Sequence, residues 1–232
     1  MTKSRESFDR DLQNLETSLL AMASEVSENV EKVTDALVRR DVIVARQMMA
    51  ADIRMNQQTI DTAQECFRLI ARQQPMAGDM RFIGSVLAVV GELERIHDYV
   101  KGIGKIIERL GETKPPRFYN EKVKRMADVA YHMLVQSMDA FTYRDAALAR
   151  SIVPQDNRVD ELFNELYAEI IAYVIQDASR IASANLLEWA MHNLERSADR
   201  ATNICEWVVY MVEGQYVKLD SEYQAPPISA DD

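Results

Sequence analysis

Two short stretches carry the residues best placed for chemistry. In LERIHD, Glu94 and Asp98 stand four residues apart, and in NLERSADRATN the same spacing runs through Glu195, Asp199 and Asn203. On a helix, residues four apart share a face. Glu94 follows Leu87 by seven and Val90 by four, and Glu195 follows Met191 by four, so these carboxylates point where an apolar stripe points. Like charges at that spacing repel, and more strongly once drawn out of water. Such a cluster needs a cation, shared protons or neighbouring arginines. Oxygen-only donors suit Mg²⁺, Mn²⁺ or iron ions better than zinc or copper.

A second acidic turn lies within reach of each. Asp52 and Asn56 centre on position 54 and Glu94 and Asp98 on 96, with Pro75 midway; Asp156 and Asp160 centre on 158 and Glu195 and Asp199 on 197, with Asp177 and Ala178 at the middle. A helical hairpin turning at each midpoint sets the two acidic turns abreast. The expected metal ligands are therefore Glu94, Asp98, Asp156, Asp160, Glu195, Asp199 and Asn203, with the later set favoured for its four carboxylates and Asn203. The plainer expectation is a solvated acidic stripe neutralised by Arg54, Arg95, Arg158 and Arg196. Glu94 and His97 also form a Glu-x-x-His pair, as in di-iron bundles. A di-iron oxidase or metal store is thus an alternative, but Ala198 stands at the equivalent of His97 and no second Glu-x-x-His occurs.

Long helices must position these residues. Only 7 glycines and 6 prolines interrupt the chain, and apolar residues recur every three or four positions, which predicts an all-α protein. Six helices are expected: about Ser4 to Arg40, Val42 to Arg72, Pro75 to Leu110, Phe118 to Phe141, Asp145 to Gln176 and Ala178 to Glu213. The break GETKPPRF divides them into threes. Asp41, Ala45, Arg46, Asp52 and Arg54 recur as Asp145, Ala149, Arg150, Asp156 and Arg158 at an offset of 104, and Leu93, Glu94, Arg95 and Asp98 as Leu194, Glu195, Arg196 and Asp199 at 101. The pattern predicts two tandem three-helix bundles, residues 1–112 and 117–214, followed by a flexible tail, 215–232.

Composition narrows the function. With 27 basic against 37 acidic residues and a net charge of -10, the chain has no basic stripe for nucleic acid. Cys66 and Cys205 show neither zinc spacing nor a disulfide framework, which fits a reducing cytoplasm. The N-terminal MTKSRESFDRDLQ is too polar for a signal peptide, and apolar runs such as VLAVV fall short of a membrane span, so membrane contact is expected only through partners. No phosphate loop, nucleophile elbow or Cys/His pairing points to catalysis.

FDRDLQNLETSLLAM, RLIARQQPMAGDMR, LERIHDYV and NLERSADRATNICEWVVYMVEG, spread over nearly the whole chain, resemble the PhoU family of phosphate-transport regulators. The resemblance implies paired three-helix bundles, often dimeric, with metal at acidic E(D)xxxD elements in some members and no enzymatic role. Those elements fall on Glu94 and Asp98, Glu195 and Asp199, and Asp156 and Asp160, while QPMAGDMR supplies Asp79 and Arg81. It implies a cytoplasmic homodimeric adaptor, without direct membrane insertion, that links the ATPase of the phosphate ABC transporter to a sensor histidine kinase. Such an adaptor restrains phosphate uptake and represses phosphate-starvation genes when phosphate is plentiful. The family usually shows Gly at His97, Asn at Gly102 and a carboxylate at Asn56, departures that count against metal in the first half.

Overall fold

The computed structural model describes residues 2–219. Among the described residues there are seven α-helices: α1 (Thr2–Arg39), α2 (Val42–Gln73), α3 (Ala77–Leu110), α4 (Arg117–Tyr143), α5 (Ala146–Ile152), α6 (Asp156–Gln176) and α7 (Ile181–Glu213). Among the described residues there is no strand, and no helix is long and apolar enough to cross a membrane. The heptad-like line along α1 is buried from Phe8 through Leu37, with Leu12 partly covered. Each such side chain contributes roughly 1.5–3 kcal/mol relative to exposure.

Six helices were expected and the fifth is split. Val153–Gln155 form a 3-10 turn between α5 and α6 with Pro154 in its first positions. Proline lacks the amide proton and clashes with the preceding turn. Ala50 occupies the corresponding place in the first copy, and α2 runs through unbroken. Smaller shifts occur at the turns: Pro75 precedes α3 rather than opening it, and Ala178–Arg180 form a 3-10 turn before α7.

Duplication is visible atom by atom at the corner before α2 and α5. Arg40 and Arg144 both take the left-handed conformation, at φ 59° and 54°. The next amides, of Asp41 and Asp145, each donate to a carbonyl five residues back, Ala36 and Ala140, both at 2.9 Å. Asp41 Oδ1 then accepts from the Val44 amide at 3.0 Å and Asp145 Oδ1 from the Leu148 amide at 2.9 Å, so each aspartate caps the helix that follows. Ala45 and Ala149 are wholly buried one turn on. Arg46 and Arg150 reach the far ends of α3 and α7, pairing with Glu108 at 2.7 Å and Glu213 at 2.6 Å.

The two copies meet mainly through α3 and α7, which run antiparallel. Arg81 Nε donates to the Met211 carbonyl at 3.2 Å, Ser85 Oγ to the Trp207 carbonyl at 3.2 Å and Arg200 to Glu92 at 3.3 Å, while the Arg196 guanidinium lies 4.7 Å over the Tyr99 ring. Of the tail expected from 215 onward, residues 220–232 lie outside the described residues. The preceding residues fold back on α7, where Glu206 is fully buried. Its carboxylate accepts from Tyr216 Oη at 2.8 Å, Lys218 Nζ at 3.0 Å and the Leu219 amide at 3.0 Å.

Candidate functional site

The turn between α2 and α3 falls at Gln74 to Met76, so α2 returns Asp52 beside the last turns of the LERIHD segment in the register the spacing predicts. Asp52 is 5% exposed. Its Oδ2 accepts from Lys101 Nζ at 2.5 Å and from Asn56 Nδ2 at 3.3 Å, and its Oδ1 lies 3.7 Å from His97 Nδ1. Lys101 Nζ also stands 3.7 Å from Asp98 Oδ1. One ammonium group therefore bridges both helices of the hairpin. The hydrogen bond to Asp52 raises the Lys101 pKa. Burial, then the charges of Asp98 and Asp52, push the Glu94 carboxyl up.

His97 is wholly buried, and neither ring nitrogen has a hydrogen-bond partner. Burial lowers its pKa against the pull of Asp52. Its polar neighbour is Asp52, at 3.7 Å.

In the second copy, α6 and α7 carry the corresponding residues. Burial first, then Asp199 on its own helix, raises the Glu195 pKa; Asp160 across on α6 adds to this and His192 opposes it. His192 Nδ1 lies 3.2 Å from Glu195 Oε2. Asn203 departs from the expected line of ligands: its amide donates to Glu92 Oε2 at 3.2 Å, reaching across to α3.

Three of the four arginines adjacent in sequence turn elsewhere, while the charge of Arg95 acts on Glu94. Arg54 pairs with Glu25 of α1, Arg158 with Glu161 at 2.7 Å, and Arg196 covers Tyr99. Lys101 compensates Asp52 and Asp98 directly. Its signal was its position three residues beyond Asp98, on the same helix face. Glu92 and Glu206 also escaped notice, because a carboxylate held by a distant helix or tail has no local spacing to reveal it.

Among the described residues no three His, Cys, Asp or Glu side chains come close enough together to hold a metal ion. The first cluster does not fit one, since a covalently attached cation already lies between Asp52 and Asp98. In the second copy, Ala198 and Thr202 stand where His97 and Lys101 stand in the first, and Asp160 replaces Asn56. Its donors remain all-carboxylate, the type a hard cation takes.

Known proteins resemble the chain over nearly its whole length. A family model described as PhoU domain matches it twice, at residues 19–107 and 123–208. A protein of Pseudomonas aeruginosa named phosphate-specific transport system accessory protein PhoU homolog is 34% identical over 91% of this chain and 87% of its own length. The similarly named protein of Aquifex aeolicus is 32% identical over 90% and 94%. The crystal structure of PhoU from Pseudomonas aeruginosa superposes with a TM-score of 0.85 at 33% identity, covering 90% of this chain and 100% of that one. That of the phosphate transport system regulatory protein PhoU from Streptococcus pneumoniae gives 0.84 at 31% identity, over 90% and 99%.

Proposed function

The chain belongs to the PhoU family, and from that membership we propose that it is an accessory protein of phosphate transport. In this reading it is a regulatory adaptor without catalytic activity, working in the cytoplasm as a homodimer. It couples the ATPase of the phosphate ABC transporter to a sensor histidine kinase, restraining phosphate uptake and repressing phosphate-starvation genes when phosphate is abundant. The observation that carries the proposal is the match of both halves to relatives named as phosphate-specific transport accessory proteins.

The surface supports an adaptor. Ile53, Ile60 and Phe67 form an exposed stripe at seven-residue spacing on α2, and Tyr167, Ile171 and Ile175 form another at four-residue spacing on α6. Apolar stripes of this kind suit contacts with other proteins. A reporter driven by a phosphate-starvation promoter tests the role. Deleting the gene is expected to leave the reporter on in phosphate-rich medium, and continued repression in the deletion strain sinks the proposal.

Cation binding is part of the same reading, at the second acidic set only. As they stand these side chains do not converge on one point, so in this reading Asp156, Asp160, Glu195 and Asp199 close around Mg²⁺, Mn²⁺ or iron as the ion binds. Glu195→Ala with Asp199→Ala is expected to remove bound metal, measured by elemental analysis of untagged protein, whereas Glu94→Ala with Asp98→Ala leaves it in place. Equal losses from both pairs would contradict this ranking.

A further inference from the structure

We propose that Lys101 is the resident cation of the first acidic cluster: its ammonium group, held between Asp52 and Asp98, occupies the place of a metal ion and makes this half of the protein metal-independent.

Three observations converge. The first is geometric, since Nζ lies 2.5 Å from Asp52 of α2 and 3.7 Å from Asp98 of α3, bridging the two helices as an exogenous cation would. The second is the comparison between copies. Asn56 stands in the register of Asp160 and Lys101 in that of Thr202, so two substitutions leave the first cluster two formal charges less negative than the second. The third is His97, whose counterpart is Ala198. Its imidazole fills the wall of the cluster, wholly buried, with neither nitrogen hydrogen-bonded.

A divalent ion placed among Asp52, Glu94 and Asp98 would stand within a few ångströms of that ammonium, where repulsion between like charges is large unless water intervenes. The alternative is that Lys101, 29% exposed at its side chain, swings into solvent and surrenders the carboxylates to the metal. Asp52, with a side chain only 7% exposed, requires one cation or the other. The proposal is thus a claim about competition, and it stands or falls independently of the adaptor role.

The test uses the full chain carrying Glu195→Gln and Asp199→Asn, so that only the first cluster remains, with Mn²⁺ as probe and the free Mn²⁺ electron paramagnetic resonance signal as readout. This parent is expected to bind no Mn²⁺ at millimolar concentration. Adding Lys101→Thr, the residue type of the second copy, is expected to create one site with affinity raised by about 100-fold or more, lost again on Asp52→Asn. A parent that already binds one Mn²⁺ lost on Asp52→Asn overturns the proposal, as does a folded Lys101→Thr protein that binds none. Lys101→Met and a thermal-shift measurement guard against misfolding. Mn²⁺ is expected to raise the melting temperature of either lysine variant but not of the parent, and variants that remain unfolded even with Mn²⁺ present count against the proposal.

Discussion

Removing the Asp52 carboxylate leaves the Lys101 ammonium facing Asp98 alone and withdraws the acceptor that holds Asn56. A fully buried pair broken on one side costs 3–5 kcal/mol and an exposed pair 0–1. The partial exposure of Lys101 places Asp52→Ala between them, at about 2 kcal/mol in urea unfolding. The pH dependence has a definite sign. Because the folded-state pKa of Lys101 is raised above 10.5, its stabilisation is fully present below that value and lost as pH rises through the folded pKa. The stability gap between the protein and Lys101→Met is therefore expected to stay level from neutral pH to about 10 and to narrow above it. The carboxylates and their register were legible from spacing alone. Of the arginines offered as the plainer source of compensation, Arg54, Arg158 and Arg196 pair elsewhere, and the charge of Arg95 acts on Glu94. Arg95 and Lys101 both stand three residues from Asp98 and share its face, so spacing alone does not choose between them; the position of Asp52 across the hairpin does.

At the scale of elements, the repeat is held by a corner that sequence already marked with Asp41 and Asp145. Both cap a helix, and each follows an arginine in the left-handed conformation. Replacing Asp145 by Ala is expected to cost about 1 kcal/mol in thermal or urea unfolding. Asp145→Asn, which retains an accepting oxygen, is expected to recover most of that loss. Five of the six predicted helices agree with the structure apart from shifts at their ends. The break at Val153–Gln155 was written in Pro154, but a proline near an aspartate-rich helix start reads equally as a kink, and tertiary packing selects between kink and turn.

The whole molecule is built around the antiparallel pair of α3 and α7, and here local pattern is least informative. Glu92 and Asn193 are equivalent positions of the two copies, as are Gly102 and Asn203. Asn203 reaches Glu92, while a side chain at Gly102 would begin 3.0 Å from Asn193 Nδ2. The interface therefore has the same contact twice, once as a hydrogen bond and once as a close approach that glycine permits. No helical periodicity announces such pairing, because it joins residues more than 90 apart in sequence.

The fold-back beyond α7 changes how shortened or fused forms of the protein should be made. Cutting after Gly214 strips Glu206 of all three of its donors, and an anion with a side chain 1% exposed loses what offsets its desolvation. Such a form is expected to be less stable by about 2 kcal/mol in denaturant titration. Any loss of function in the shorter form would then report weakened folding rather than a missing recognition peptide, and a truncation meant to leave the fold intact has to keep Tyr216, Lys218 and Leu219.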